Sequence, residues 1–209
     1  MSESNCHPSS QWGRPRGLVG SLVGWVMAVK NTAMNRAAVT ALDLTPSDRV
    51  LEIGCGPGVA LTMVDSRAAY AAGLDHSPVM VAQATWRNRR AIAEGRIAVV
   101  EASVARLPFP EADFDKVFTV NSFHFWPAPE AALAEARRVL KPDGRVVLAI
   151  RASNRPLAFD VAGAAKGAER ARRAQQALAT AGFAKITTEE HHAGRLIALC
   201  VIARKSTAV

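Results

Sequence analysis

Along the chain, short apolar blocks alternate with longer stretches in which apolar residues recur every three or four positions. Seven blocks have the length and composition of buried strands: Val50 to Ile53, Tyr70 to Asp75, Arg96 to Glu101, Phe114 to Val120, Arg145 to Ile150, Phe183 to Glu190 and Arg195 to Arg204. Between them, Val59 to Arg67, Pro78 to Glu94, Pro129 to Leu140 and Ala168 to Ala181 read as helices, with Gly95 and Gly182 as stops. Lys141-Pro142-Asp143-Gly144 reads as a turn before the fifth strand. Strands alternating with helices predict an α/β fold whose sheet is mostly parallel and covered on both faces. The last two strands are joined only by His191-His192-Ala193-Gly194. That is too short for a parallel crossover, so the seventh strand is expected to run antiparallel, with both histidines in an exposed turn.

Two helical patterns precede the first strand. Gly17 to Val29 is apolar on nearly every side, with Leu18, Leu22, Trp25 and Val29 along one stripe. Asn31 to Leu42 is the second, closed by Thr45-Pro46. The first has three readings: an extra core helix, a lid over a substrate, or a helix lying on a membrane surface. The lone Lys30 gives the last little electrostatic support. At 209 residues the chain is expected to be one domain, with residues 1–45 as an N-terminal helical cap and 46–209 as the core.

The chemistry concentrates where the first strand stops. Val50-Leu51-Glu52-Ile53 runs into Gly54-Cys55-Gly56-Pro57-Gly58, three glycines spaced two apart. A tight strand-to-helix turn of this kind lets backbone approach a nucleotide-type ligand. Dinucleotide turns read G-x-G-x-x-G, whereas here the third glycine comes one position early and Val59 takes the expected place. Glu52 would also repel a pyrophosphate, and a carboxylate buried in an apolar run needs a partner. A ligand with a cationic amino group and a sulfonium, S-adenosylmethionine (SAM), suits it better. Asp75, closing the second strand, lies where an acidic residue can accept both ribose hydroxyls. Ser77, ahead of Pro78, is the better helix cap and leaves Asp75 for the ligand.

With these residues, the sequence resembles the class I SAM-dependent methyltransferases, near the small-molecule group that includes ubiquinone and sterol methylases. VLEIGCGPG, LDHSPVMVAQA, LPFPEADFDKVFTVNSFHFW and EARRVLKPDGRVVL occur in that family's order, between about Arg49 and Lys205. The resemblance implies a Rossmann-like seven-stranded sheet. It also implies a cofactor site drawn from Glu52, Gly54, Cys55, Gly56, Gly58, Asp75, His76, Met80, Ser103, Val104, Asn121 and Ser122. Ser103 stands where the family usually has an aspartate for the adenine amino group, so backbone at Val104 would carry more of that contact. The loop Asn121-Ser122-Phe123-His124-Phe125-Trp126 would lie beside the transferable methyl, with its aromatics walling the pocket. His124 is the candidate general base, against the alternative of a pocket-wall histidine with no proton transfer. Similar methyltransferases close the site with N-terminal helices, which favours the lid reading of Gly17 to Val29.

Composition narrows the partners. The net charge is +8, and the isoelectric point is near 10.1. This admits anionic partners, against the favoured reading of abundant arginine on solvated helix faces, and Arg87, Arg89 and Arg90 near a helix C-terminus are favoured by its dipole alone. Cys6, Cys55 and Cys200 form no even framework, and no cluster has metal-ligand spacing. Cys55 and Cys200 read as packing residues. The first residues are polar and no run reaches the ~18 apolar residues of a membrane span, so a cytoplasmic chain is expected.

The expected activity is methyl transfer from SAM, leaving S-adenosylhomocysteine, to a small and partly apolar acceptor. Its leaving group is a neutral thioether, so alignment carries most of the acceleration and no acid is needed. Nucleic-acid methylation is the first rival. Adenine-N6 enzymes of this fold carry Asn/Asp-Pro-Pro-aromatic where this chain has Asn121-Ser122-Phe123-His124. A SAM-binding protein of this fold with a non-methylating role is the second, prompted by Ser103.

Overall fold

In the computed structural model, the described residues are 31–153, 161–193 and 196–206. The apolar segment Gly17 to Val29 lies outside them. The first described element is α1 (Thr32–Ala41), followed by β1 (Arg49–Ile53), α2 (Val59–Asp65) and β2 (Tyr70–Asp75). Next come α3 (Pro78–Arg87), α4 (Arg89–Ala93), β3 (Ile97–Glu101) and β4 (Phe114–Val120). A single 3-10 turn (Phe123–Phe125) leads to α5 (Pro129–Val139), β5 (Leu140–Ser153), α6 (Val161–Thr180), β6 (Phe183–Ala193) and β7 (Leu196–Lys205).

The sheet has seven strands in the order β3-β2-β1-β4-β5-β7-β6. β1 pairs in parallel with both β2 and β4, while β7 pairs antiparallel with β5 and with β6. The chain thus winds outward to β3, returns, and continues on the other side of β1. At this switch the loops after β1 and β4 diverge and open a crevice at the carboxyl edge.

Both faces of the sheet are buried. Leu51, Ile53, Val146 and Leu148 turn to one face and meet Leu133, Ala136, Ala174 and Leu178 from α5 and α6. Val50, Phe118 and Val147 turn to the other and meet Met34, Leu42, Leu61 and Val64 from α1 and α2. Within the expected cap, α1 is therefore a core helix. Met34, Ala38 and Leu42 are fully buried in that second face, each large side chain contributing roughly 1.5–3 kcal/mol.

Four expectations change. The helix expected over Pro78 to Glu94 is two helices, broken at Asn88, whose side chain turns inward. The fifth strand starts at Leu140, so the Lys141–Gly144 turn becomes a bulge inside it. There the pairing with β4 jumps from Phe114↔Leu140 to Lys116↔Arg145, and Asp143 takes a φ of 57°. The last helix begins at Val161, upstream of Ala168, along an alanine-rich stretch of high helix propensity. His191 and His192 lie within β6, paired with Ala198 and Ile197, rather than in a turn.

Candidate active site

The turn after β1 is fastened by backbone. The Gly54 and Cys55 N–H groups both donate to the Leu74 carbonyl at the end of β2, at 2.8 and 3.0 Å. Gly54, Gly56 and Gly58 have φ values of 73°, 51° and 74°, where a side chain is strained. Their missing Cβ atoms serve different neighbours. A Cβ on Gly54 would fall 2.4 Å from the Ser122 hydroxyl, and one on Gly58 would fall 2.9 Å from the Ala84 Cα. Only beside Gly56 is the space open. The expectation that the glycines admit a ligand thus fits Gly56, while Gly54 and Gly58 admit other parts of the protein.

Asn88, at the break between α3 and α4, holds this turn from below. Its amide donates to the carbonyls of Gly58 (3.1 Å) and Ala84 (2.9 Å), and its oxygen accepts the Thr62 hydroxyl at 2.8 Å. The neighbouring Arg87 donates Nε to the Pro57 carbonyl at 2.9 Å. None of this was expected from sequence, where Asn88 sits in a run of arginines that reads as a solvated helix face.

Two buried carboxylates flank the turn. Asp75 is 7% exposed; its Oδ2 accepts the Gly56 N–H and its Oδ1 accepts the Ser77 N–H, both at 2.9 Å. Asp75, and not the Ser77 hydroxyl, therefore closes the entry to α3. Burial raises the Asp75 pKa, and these backbone donors oppose the rise. An ionised carboxylate offers about four acceptor sites, so two remain for a ligand. Glu52 is 2% exposed, and its Oε2 has no hydrogen-bond partner. Burial and then the nearby Asp75 hold its carboxyl well above the ordinary range. Such an orphan costs on the order of 1–3 kcal/mol or more, which a cationic ligand group would offset.

Glu52 lines a cleft of about 320 Å³, counted with its open mouth, together with Asn31, Asn35, Gly54, Cys55, Gly56, Pro57, Val59 and Val120. Cys55 is buried against Gly73, and burial pushes its thiol pKa well up, so it is a packing residue on the cleft floor. His76 is exposed, with Nδ1 3.7 Å from Asp75 Oδ1. Met80 is 2% exposed, in the interior, and does not line this cleft. Ser103 turns its hydroxyl back to accept the Ala105 N–H at 3.2 Å, and Val104 packs on the core edge.

The loop after β4 is held by backbone bonds from Asn121 to Ala149 and from Phe125 to Ser122, and by side chains as well. Asn121 takes a φ of 51°; its oxygen accepts the Arg151 N–H at 3.0 Å and its amide donates to Asn31 Oδ1 at 3.3 Å. Ser122 accepts the Trp126 indole N–H at 3.1 Å, and Phe123 meets Trp126 edge-on at 5.5 Å between centroids. His124 stacks near Phe125 at 4.1 Å. Burial, and then the Arg170 charge from α6, push its pKa down to about 4, so the ring is neutral at physiological pH.

A parallel sheet reversing at β1, with a glycine turn and two buried carboxylates over the reversal, defines the Rossmann-like fold of class I SAM-dependent methyltransferases. Residues 51–148 match the model of the family described as "Methyltransferase domain". The chain is similar to the uncharacterized methyltransferase YdaC of Bacillus subtilis, 28% identical over 132 residues, covering 62% of this chain and 71% of that protein. It is 38% identical over 116 residues to a demethylmenaquinone methyltransferase of Thermus thermophilus, covering 54% of this chain but only 51% of that relative. The structure of a SAM dependent methyltransferase from Aquifex aeolicus superposes with a TM-score of 0.69 at 18% identity, covering 88% of this chain and 97% of that one. Residues 51–148, just under half of the chain, therefore match a methyltransferase domain, and the sheet shares the Rossmann-like fold of the Aquifex structure.

Proposed function

We propose that the chain moves a methyl group from SAM to a small, partly apolar acceptor. The observation that carries this reading is the pair of buried carboxylates, Glu52 and Asp75, at the carboxyl ends of adjacent strands. The donor set fits the cofactor: Glu52 Oε2 is an unused acceptor for an ammonium, and Asp75 keeps acceptor sites for two ribose hydroxyls. Gly56 gives the open approach between them. The remaining contacts of the site, from His76, Met80, Ser103, Val104, Asn121 and Ser122, are part of the same proposal. None of these six residues lines the cleft as it stands, and neither does Asp75, so each meets a ligand only where it extends past the cleft or after local rearrangement.

When bound, SAM supplies a methyl group on a sulfonium whose departure leaves a neutral thioether. The chain's own part is to hold and align. Phe123 and Trp126 fix the shape of the loop after β4, which sets where an acceptor can sit, and such orientation is worth up to roughly 7–11 kcal/mol. With a pKa of about 4, His124 is a weak base but a permanent hydrogen-bond acceptor above that pH, so it orients an acceptor hydroxyl or amine. The apolar loop, and the name of the Thermus relative, which acts on demethylmenaquinone, support a partly apolar small molecule. Among the described residues no helix is long and apolar enough to cross a membrane.

The test is to incubate the purified chain with methyl-tritiated SAM and a fractionated cell extract. Label is expected in organic-soluble small molecules. Label confined to RNA or protein would overturn the acceptor class.

A further inference from the structure

Away from the cleft floor, α3 and α4 carry a mixed aromatic and cationic patch that the site does not use. Trp86 is 69% exposed, the one large apolar side chain left in solvent among the described residues. Ala82, one turn before it on α3, and Thr85 beside it are exposed as well, so the indole projects from small neighbours. Arg89 lies over one face of the ring, its Cζ 5.0 Å from the centroid, and donates Nη1 to the Trp86 carbonyl at 3.0 Å. A single indole on a surface is ordinary. Its arginine surroundings set this one apart.

The sequence accounts for Arg87, Arg89 and Arg90 by the dipole at the end of one long helix, and the structure removes that account for two of them. The break at Asn88 puts Arg89 and Arg90 at the start of α4, where a helix dipole does not favour cations. Carboxylates do not gather them either. Arg87 and Arg89 each donate to a backbone carbonyl, and among the described residues neither has an acidic partner. Glu94 is shared between Arg90, at 3.1 Å, and Arg96, whose other partner is Asp65. Four arginines thus share two carboxylates, and the Arg90 side chain is 91% exposed.

A projecting indole beside incompletely neutralised guanidinium groups has the chemistry of an interfacial anchor. The ring suits the headgroup level of a bilayer, and the cations suit lipid phosphates. We propose that this face of α3 and α4 docks on an anionic phospholipid surface. Single-stranded RNA fits it less well, because base stacking uses successive aromatic faces, and here one face of a lone indole is covered by Arg89. The patch adjoins the cleft, since Arg87 donates Nε to the carbonyl of Pro57, which lines it. Docking there holds the cleft beside the phase in which a partly apolar acceptor dissolves. That use, unlike the docking itself, rests on the proposed methyl transfer.

The test is co-sedimentation of the full chain with vesicles of phosphatidylcholine alone, and of phosphatidylcholine with about one-third phosphatidylglycerol. Binding is expected to the anionic vesicles, to be at least tenfold weaker to the neutral ones, and to fade with added salt. Arg89→Gln combined with Arg90→Gln, and Trp86→Ala alone, are each expected to weaken it roughly tenfold while leaving SAM affinity within about twofold. Unchanged vesicle binding in either variant, or equal binding to neutral vesicles, would overturn the proposal. So would a wild-type chain that ignores the vesicles, or one that uses Trp86 to bind poly(U) RNA instead. The sedimentation needs no SAM, so vesicle binding through this face without any SAM binding would uphold the docking and sink only the methyl-transfer reading.

Discussion

The turn after β1 and the loop after β4 face each other across the crevice, yet they are built from different materials. The first is held by backbone: Gly54 and Cys55 share one carbonyl of β2, and Gly56 donates to a buried carboxylate. The second adds cross-links between side chains, Trp126 to Ser122 and Asn121 to Asn31, to its backbone bonds from Asn121 to Ala149 and from Phe125 to Ser122. Backbone bonding leaves the first turn rigid and keeps two carboxylates in the dark, which suits a ligand that never changes. Side-chain bonding lets the second loop vary in shape without disturbing the sheet, which suits an acceptor that differs between relatives. On the proposed reading, the division lets a cofactor side coexist with the weakly basic His124, the candidate base among the described residues.

The largest effect is expected at Asp75. Asp75→Ala removes the proposed ribose acceptor and also the staple joining Gly56 to Ser77, so SAM affinity should fall at least 100-fold by calorimetry. Asp75→Asn, which keeps one acceptor oxygen, should lose less. Equal affinity for both variants and wild type would place the nucleoside elsewhere.

That part of the site was legible in sequence because it is local. Glu52, the three glycines and Asp75 occur within 24 residues, and each is required by the geometry of one strand-turn-helix unit and its neighbouring strand. The antiparallel ending followed from the short connection between the last two strands. What stayed hidden depends on distant partners. Asn88 reads as one polar residue among arginines until Thr62 and Gly58, 26 and 30 residues away, fold against it. Asn31 and Asn35 look like the wet side of an amphipathic helix, and only the placement of α1 over the crevice buries Asn35. His124 was visible as a candidate base, but its weak basicity comes from burial and from Arg170, brought in by α6.

Glu52 ranks next, and its two effects have opposite signs. Burial and Asp75 raise its pKa above the ordinary 4.5, so the folded chain holds that proton more tightly than the unfolded chain does. The empty protein should therefore lose stability as pH rises from about 4.5 through the raised value. Glu52→Gln should abolish that slope and raise Tm above this range, while weakening SAM at least tenfold. A variant that loses stability and keeps affinity would show that the carboxylate serves the fold instead.

Smaller changes are expected from the support beneath the glycine turn. Asn88→Ala frees the Gly58 carbonyl and the Thr62 hydroxyl, which should cost about 1–3 kcal/mol in urea unfolding and weaken SAM severalfold. The smallest concerns the loop after β4. His124→Gln keeps a hydrogen-bonding group and should lower kcat only severalfold. Because the ring is neutral above about pH 4, the wild-type rate should show no step near pH 6.5 that this substitution removes. Such a step would make His124 a general base of ordinary strength.

The central claim is that two buried carboxylates await a cationic nucleoside cofactor. It is tested most directly by titrating SAM into the wild-type chain at pH 8 and again at pH 5. A dissociation constant of roughly micromolar order is expected at pH 8 and weaker binding at pH 5, because the ammonium needs Glu52 ionised. Absence of binding at pH 8, or equal affinity at the two values, would contradict it.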